Sequence, residues 1–141
     1  MHSAATREIR LACADLITSF AHFVDHREFD RAAALFAEDG VFERPDLTAR
    51  GRDQIAAIWA TRPSSVITRH LCQAPYFLEV GIEIACSVTG FMLYHVDHHM
   101  EGIPPLGGPR AICEFHDRFR RTADGWRIAH RKSIAILRQS D

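Results

Sequence analysis

The apolar periodicity of this chain changes once, near its middle, and that change limits the folds open to it. From Thr6 to Val24 the residues Ile9, Ala12, Cys13, Leu16, Ile17, Phe20, Phe23 and Val24 recur every three or four positions, which predicts an amphipathic helix. A second helix is expected from Glu28 to Ala37, stopped at Asp39-Gly40, and a third from Gly51 to Thr61, before Pro63. A short strand from Val41 to Glu43 lies between them and ends at the turn residues Pro45 and Asp46.

After residue 65 the pattern is that of strands. One run from Val66 to Val80 is interrupted at Pro75, since proline cannot donate to a ladder. Gly81 marks a hairpin turn to a second run, Ile82 to Val96. Arg110 to Thr122 and Trp126 to Leu137 form the last two, joined by the hairpin signal Ala123-Asp124-Gly125. Between them the Gly- and Pro-rich stretch from Asp97 to Pro109 reads as a long loop, the kind that often serves as a lid. Helices first and long strands afterwards predict an α+β domain, its helices packed on one face of a curved antiparallel sheet. The 141 residues suit a single domain.

A formal net charge of −1 gives no electrostatic footprint for nucleic acid or for an anionic membrane. No apolar run approaches membrane-spanning length and MHSAATREIR is no signal peptide, so neither a membrane nor export is expected. Cys13, Cys72, Cys86 and Cys113 are widely spaced and form no Cys-x-x-Cys pair, which points to reduced thiols in the cytoplasm.

The chemistry centres on His70. In a strand Val66, Thr68, His70 and Cys72 share one face, mostly small or apolar, while Arg69 and Gln73 share the other. An imidazole there sits in a partly desolvated place and serves either as a core histidine or as a base. Asp25, with Glu28 three residues on, also reads as a capping box for the second helix.

Four stretches, FVDHREFDRAAALFAEDGVFE at 23–43, ARGRDQIAAIW at 49–59, TRHLCQAP at 68–75 and FHDRFRRTADGWRIAHR at 115–131, together resemble the SnoaL-like family of the nuclear-transport-factor-2 fold. The resemblance implies a cone whose mouth admits a small apolar molecule between the helices and the concave face of the sheet. It also implies a dimer. Relatives include scytalone dehydratase, dehydrochlorinases, polyketide cyclases and non-catalytic subunits of ring-hydroxylating dioxygenases, so the fold alone names no reaction.

Asp25 and His70 match the positions of the aspartate–histidine pair of the dehydratase relatives. The resemblance therefore implies a cofactor-free lyase or isomerase acting on a small apolar cyclic substrate, or else a ligand-binding protein or auxiliary oxygenase subunit. Counted from Gly90, Met92, Tyr94, Val96 and His98 share a face, and His98 lies near a second active-site histidine of scytalone dehydratase. Arg131 matches a pocket arginine that could stabilise an anion, its alternative being a surface ion pair. Phe20, Trp59, Tyr94 and His116 are the candidate substrate-contacting residues; for Glu114, His116 and Arg118 against Phe115, Asp117 and Phe119, either set could face the pocket. His95, Asp97, His98 and His99 could in principle bind a metal, although neighbours in a strand point apart and no metal is expected. Phe20 stands where several dehydratases carry a tyrosine, which removes a phenolic acid. The chain has no nucleotide-binding glycine motif, Gly-x-Ser-x-Gly or His-Glu-x-x-His, and no cofactor is expected.

Overall fold

The computed structural model describes residues 3–140. The first helix, α1 (Ala4–Asp25), starts at Ser3, whose hydroxyl accepts from the Thr6 N–H, and it buries Ile9, Cys13, Leu16, Ile17, Phe20, Ala21 and Val24. It ends in a Schellman motif: Glu28 N–H donates to Phe23 C=O at 2.8 Å and Arg27 N–H to Val24 C=O at 3.2 Å. The left-handed position of that motif, usually glycine, is held by Arg27 at φ 63°. The Arg27 side chain fixes the strained turn by donating to the Val66 and Arg62 carbonyls.

The second helix, α2 (Phe29–Ala33), stops before the expected Ala37. Tertiary pairing overrides the helical spacing, because Phe36, fully buried, opens β1 (Phe36–Arg44) opposite Ile128. Gly40 belongs to this strand and is not a helix stop. A Cβ there would meet the Ala37 and Ile128 carbonyl oxygens at 2.9 and 3.0 Å. The Pro45-Asp46 turn leads into β2 (Leu47–Arg50), a strand that the sequence reading missed. Next comes α3 (Gly51–Ala57), whose chain continues in tighter turns as far as Arg62, the last closed by Arg62 N–H on Trp59 C=O at 3.0 Å. Trp59 and Arg62 both end in the interior cavity because of those turns.

The expected interruption at Pro75 divides two strands, β3 (Val66–Cys72) and β4 (Tyr76–Val80), which pair with different parts of β5 (Ile84–Asp97). After an irregular segment from 98 to 110, β6 (Ala111–Thr122) and β7 (Gly125–Arg138) close the chain. The sheet order is β2-β1-β7-β6-β5-β3, with β4 beside β5. All pairs are antiparallel except β1 with β7. The result is an α+β cone, with the three helices on the concave side of the curved sheet. Its core joins α1 to Phe36, Phe42, Phe91, Phe115, Phe119 and Ile128 of the sheet. Among the described residues, no helix is long and apolar enough to cross a membrane.

Candidate functional site

Register decides which side chains enter the cone. His70 lies opposite Leu93, Thr68 opposite His95 and Cys72 opposite Phe91, and directly paired residues share a face. The inward side of β5 therefore carries Phe91, Leu93 and His95. Tyr94, opposite Arg69, belongs to the outer face. On β6 the buried Cys113, Phe115, Asp117 and Phe119 point inward, so His116 lies outside, where Nε2 meets Glu114 at 2.9 Å. His98 lies beyond the strand and its Nε2 donates to the Gly102 carbonyl at 3.0 Å. Tyr94, His98 and His116 are thus absent from the cavity lining, while Phe20 and Trp59 are part of it.

The cavity has a volume of about 220 Å³. Its walls are the rings of Phe20, Phe42, Trp59, Phe91 and Phe115, with His70, Thr68, His95, Arg44 and Arg62 as the polar positions. Phe20 is central, making edge contacts with Phe36, Phe42, Trp59 and Phe115 at centroid distances between 5.7 and 6.1 Å.

At the end of α1 the Asp25 carboxylate makes no helix cap. Glu28 is the N-cap of α2 and has no side-chain capping bond. Instead Asp25 Oδ1 lies 2.6 Å from His70 Nδ1 and accepts from the Thr68 hydroxyl at 3.0 Å, and Oδ2 accepts the His70 backbone N–H at 2.8 Å. Arg62 donates in turn to the Thr68 hydroxyl at 3.3 Å. The side chains of Asp25 and His70 are only 5% and 11% exposed. A carboxylate at a helix C-terminus opposes the helix dipole, so its place depends on these donors. Burial raises the Asp25 pKa, but the hydrogen bonds and charge of His70, with help from Thr68, outweigh it and hold the carboxyl below its ordinary range. Among the described residues His70 Nε2 has no hydrogen-bond partner.

Arg131 lies behind this wall. It is fully buried, and Nε and Nη2 donate to the two Asp117 oxygens at 2.7 and 2.8 Å. Its guanidinium carbon stands 4.5 Å from the Phe20 ring centroid and 3.8 Å from that of Phe115. It is neither a surface ion pair nor a cavity-lining residue. Thr68, Arg62 and His95 take the polar positions beside His70. Thr68 was legible from its shared face with His70, but nothing local in the sequence singled out Arg62. His95 is held below its ordinary pKa of 6.5 by burial and by the charges of Arg110 and Arg62, so it is neutral at pH 7. Among the described residues, no three His, Cys, Asp or Glu side chains converge as metal ligands.

The SnoaL-like domain family matches residues 5–132. The chain belongs to that family. Among solved structures this SnoaL-like chain is similar to a putative scytalone dehydratase from Novosphingobium aromaticivorans, with TM-score 0.80, 17% identity, and coverage of 99% of this chain and 92% of the other. It is also similar to a hexachlorocyclohexane dehydrochlorinase, at TM-score 0.77, 13% identity and coverage of 96% and 90%. A third is the β subunit of a putative aromatic-ring-hydroxylating dioxygenase from Novosphingobium aromaticivorans, with TM-score 0.74, 15% identity and coverage of 95% and 94%. At such identities the likeness establishes the shared fold alone. No curated protein matches the chain by sequence.

Proposed function

We propose that this SnoaL-like chain is a cofactor-independent lyase or isomerase for a small apolar cyclic substrate, with His70 as its general base. The observation that carries this reading is His70 on the wall of an aromatic cavity, paired with the carboxylate of Asp25. Asp25 accepts the Nδ1 proton, which leaves the lone pair on Nε2, and its charge stabilises the imidazolium formed when Nε2 takes a substrate proton. The electron pair left on the substrate then expels a leaving group from the neighbouring atom, or is reprotonated elsewhere in an isomerisation. Thr68 and Arg62 hold Asp25 in position. Stabilisation of developing negative charge falls to Arg62 and His95, which line the cavity as Arg131, Tyr94 and His98 do not. The names of the dehydratase and dehydrochlorinase relatives fit elimination chemistry.

The test is a panel of dehydration, dehydrochlorination and isomerisation substrates assayed with the wild type and with His70→Ala. Turnover of a genuine substrate falls about 10²- to 10⁴-fold in the variant. A substrate turned over equally by both proteins removes His70 from the reaction.

A second reading, an auxiliary oxygenase subunit without catalysis, draws on the dioxygenase β subunit and on the outer sheet face. Leu71, Met92, Ile112 and Leu137 are directly paired in a row across β3, β5, β6 and β7. Three of them are 50%, 38% and 65% exposed, at Leu71, Met92 and Leu137. Such an apolar row calls for a partner, and a second copy of this chain is the simplest. Light scattering of the purified protein separates the two, since a stable homodimer disrupted by Met92→Lys speaks for the self-association. The four free thiols are compatible with a reducing, cytoplasmic setting.

A further inference from the structure

The inner cavity adjoins a second, more open chamber of about 450 Å³, with Arg44, Leu93, Cys113 and Ser133 common to both. This outer chamber is also lined by Arg110, Arg138 and Asp46. Its cations come from three separate places: the end of β1, the residue before β6 and the end of β7. Arg44 lies 3.4 Å from Asp46, a carboxylate that is 70% exposed. Among the described residues neither Arg110 nor Arg138 has a carboxylate partner; Arg110 meets only the ring of His95, at 3.4 Å. Arg62, on the inner rim, likewise donates to the Thr68 hydroxyl and to no carboxylate.

A chain with a net charge of −1 has therefore gathered four guanidinium groups along two adjoining cavities whose lining holds one acid, the solvent-screened Asp46. The mutual field is visible in two of the wall residues. The Arg62 pKa is lowered by burial and then by the charges of Arg27 and Arg44, against the opposing charge of Asp25, and that of His95 by burial and then by Arg110 and Arg62, against Asp97. Keeping like charges this close costs stability, and an anion seated between them relieves the cost.

We propose that the ligand is an amphiphilic carboxylate, whose ring fills the aromatic cavity and whose carboxylate is held in the outer chamber by Arg44, Arg110 and Arg138. This rests on the reading of the inner cavity as a substrate site and narrows the substrate to a cyclic acid. A planar carboxylate suits the forked geometry of guanidinium donors, and a ring in the inner cavity places its substituent at the shared rim. Recognition is divided accordingly: the rings select for shape and the arginines for charge.

Naphthoate and naphthamide, matched in ring and differing in charge, are the probes, with binding measured by calorimetry at low and high salt. Naphthoate binds about tenfold tighter or better at low salt, and the preference shrinks as salt rises. Arg110→Gln, at an exposed position that leaves the fold intact, brings the two ligands to within about twofold by weakening naphthoate alone. Arg44→Gln and Arg138→Gln act in the same direction, while Arg118→Gln, on the outer face, changes nothing. Equal binding of the two probes, binding of neither, or a preference that survives Arg110→Gln overturns the proposal. His70→Ala separates it from the catalytic reading: that variant keeps the carboxylate preference whether or not it has lost turnover. A dead His70→Ala enzyme with no such preference in the wild type sinks the carboxylate proposal alone.

Discussion

The concave interior holds two carboxylate–cation pairs built differently. Asp117 and Arg131, directly opposite on β6 and β7, are wholly buried, joined by two hydrogen bonds, and flanked by the Phe20 and Phe115 rings. Asp25 and His70 are brought together from α1 and β3 and are slightly exposed, and His70 lies on the cavity wall. An arginine stays charged at every working pH, so it cannot serve as a proton carrier. A histidine can take and release a proton, so the second can do chemistry. Phe115 touches both, lying 3.8 Å from the Arg131 guanidinium carbon and with its ring centroid 6.4 Å from that of His70.

Breaking each pair exposes the difference. Asp117→Ala leaves a buried guanidinium uncompensated and costs about 3–5 kcal/mol, read from chemical denaturation. Adding Arg131→Met to Asp117→Leu recovers most of that loss, since an apolar pair of similar volume needs no desolvated charge. If the double variant is no more stable than the single, the pair has another role. Asp25→Asn removes the charge but keeps the shape, and is expected to cost only about 1–2 kcal/mol of stability. Its turnover falls by about 10²-fold or more, because the imidazolium loses its counter-charge. Unchanged turnover with lowered stability would make Asp25 a structural residue like Asp117.

Much of this contrast was legible in the sequence, and the part that was not has physical causes. The spacing along α1 and the alternation around His70 depend on local geometry, which the residues state directly. The inward face of β5 does not, since Phe91 and Leu93 on one side and Met92 and Val96 on the other look equally apolar; counting from Gly90 favoured Tyr94 and His98 over His95. Arg131 was expected in the pocket from the family resemblance, and its pairing with Asp117 depends on one shifted register. Counting back from the Ala123-Asp124 turn would pair Asp117 with His130, but the irregularity between Arg118 and Phe119 moves it to Arg131. The length of α2 was overestimated for a related reason, as Phe36 is claimed by a partner in β7, Ile128, far along the chain.

A smaller effect sharpens the comparison at Thr68, which donates to Asp25 and accepts from Arg62. The Asp117–Arg131 pair has no such intermediary. Thr68→Val is expected to cost about 1 kcal/mol and to lower turnover several-fold, with Thr68→Ser restoring both. If serine fails to rescue turnover, the methyl group and not the hydroxyl is what positions the pair.

The smallest effect is in the pH dependence of stability, where the two regions separate again. Asp25 has its folded pKa below the ordinary value of 3.8, so its contribution is complete above that pH and is lost as the pH falls through the folded value. His95 has its folded pKa below 6.5, so folding favours its neutral form; its contribution is whole above pH 6.5 and declines as the pH falls from there toward the folded value, then levels off. The wild-type denaturation midpoint therefore loses a little between pH 7 and 5 and more steeply below 4. His95→Gln flattens the first decline and leaves the second, whereas Asp25→Asn reduces the second and leaves the first. A first decline that persists in His95→Gln would assign it to a group outside the cavity, and the cluster of guanidinium charges around His95 would then have no measurable influence on the wall.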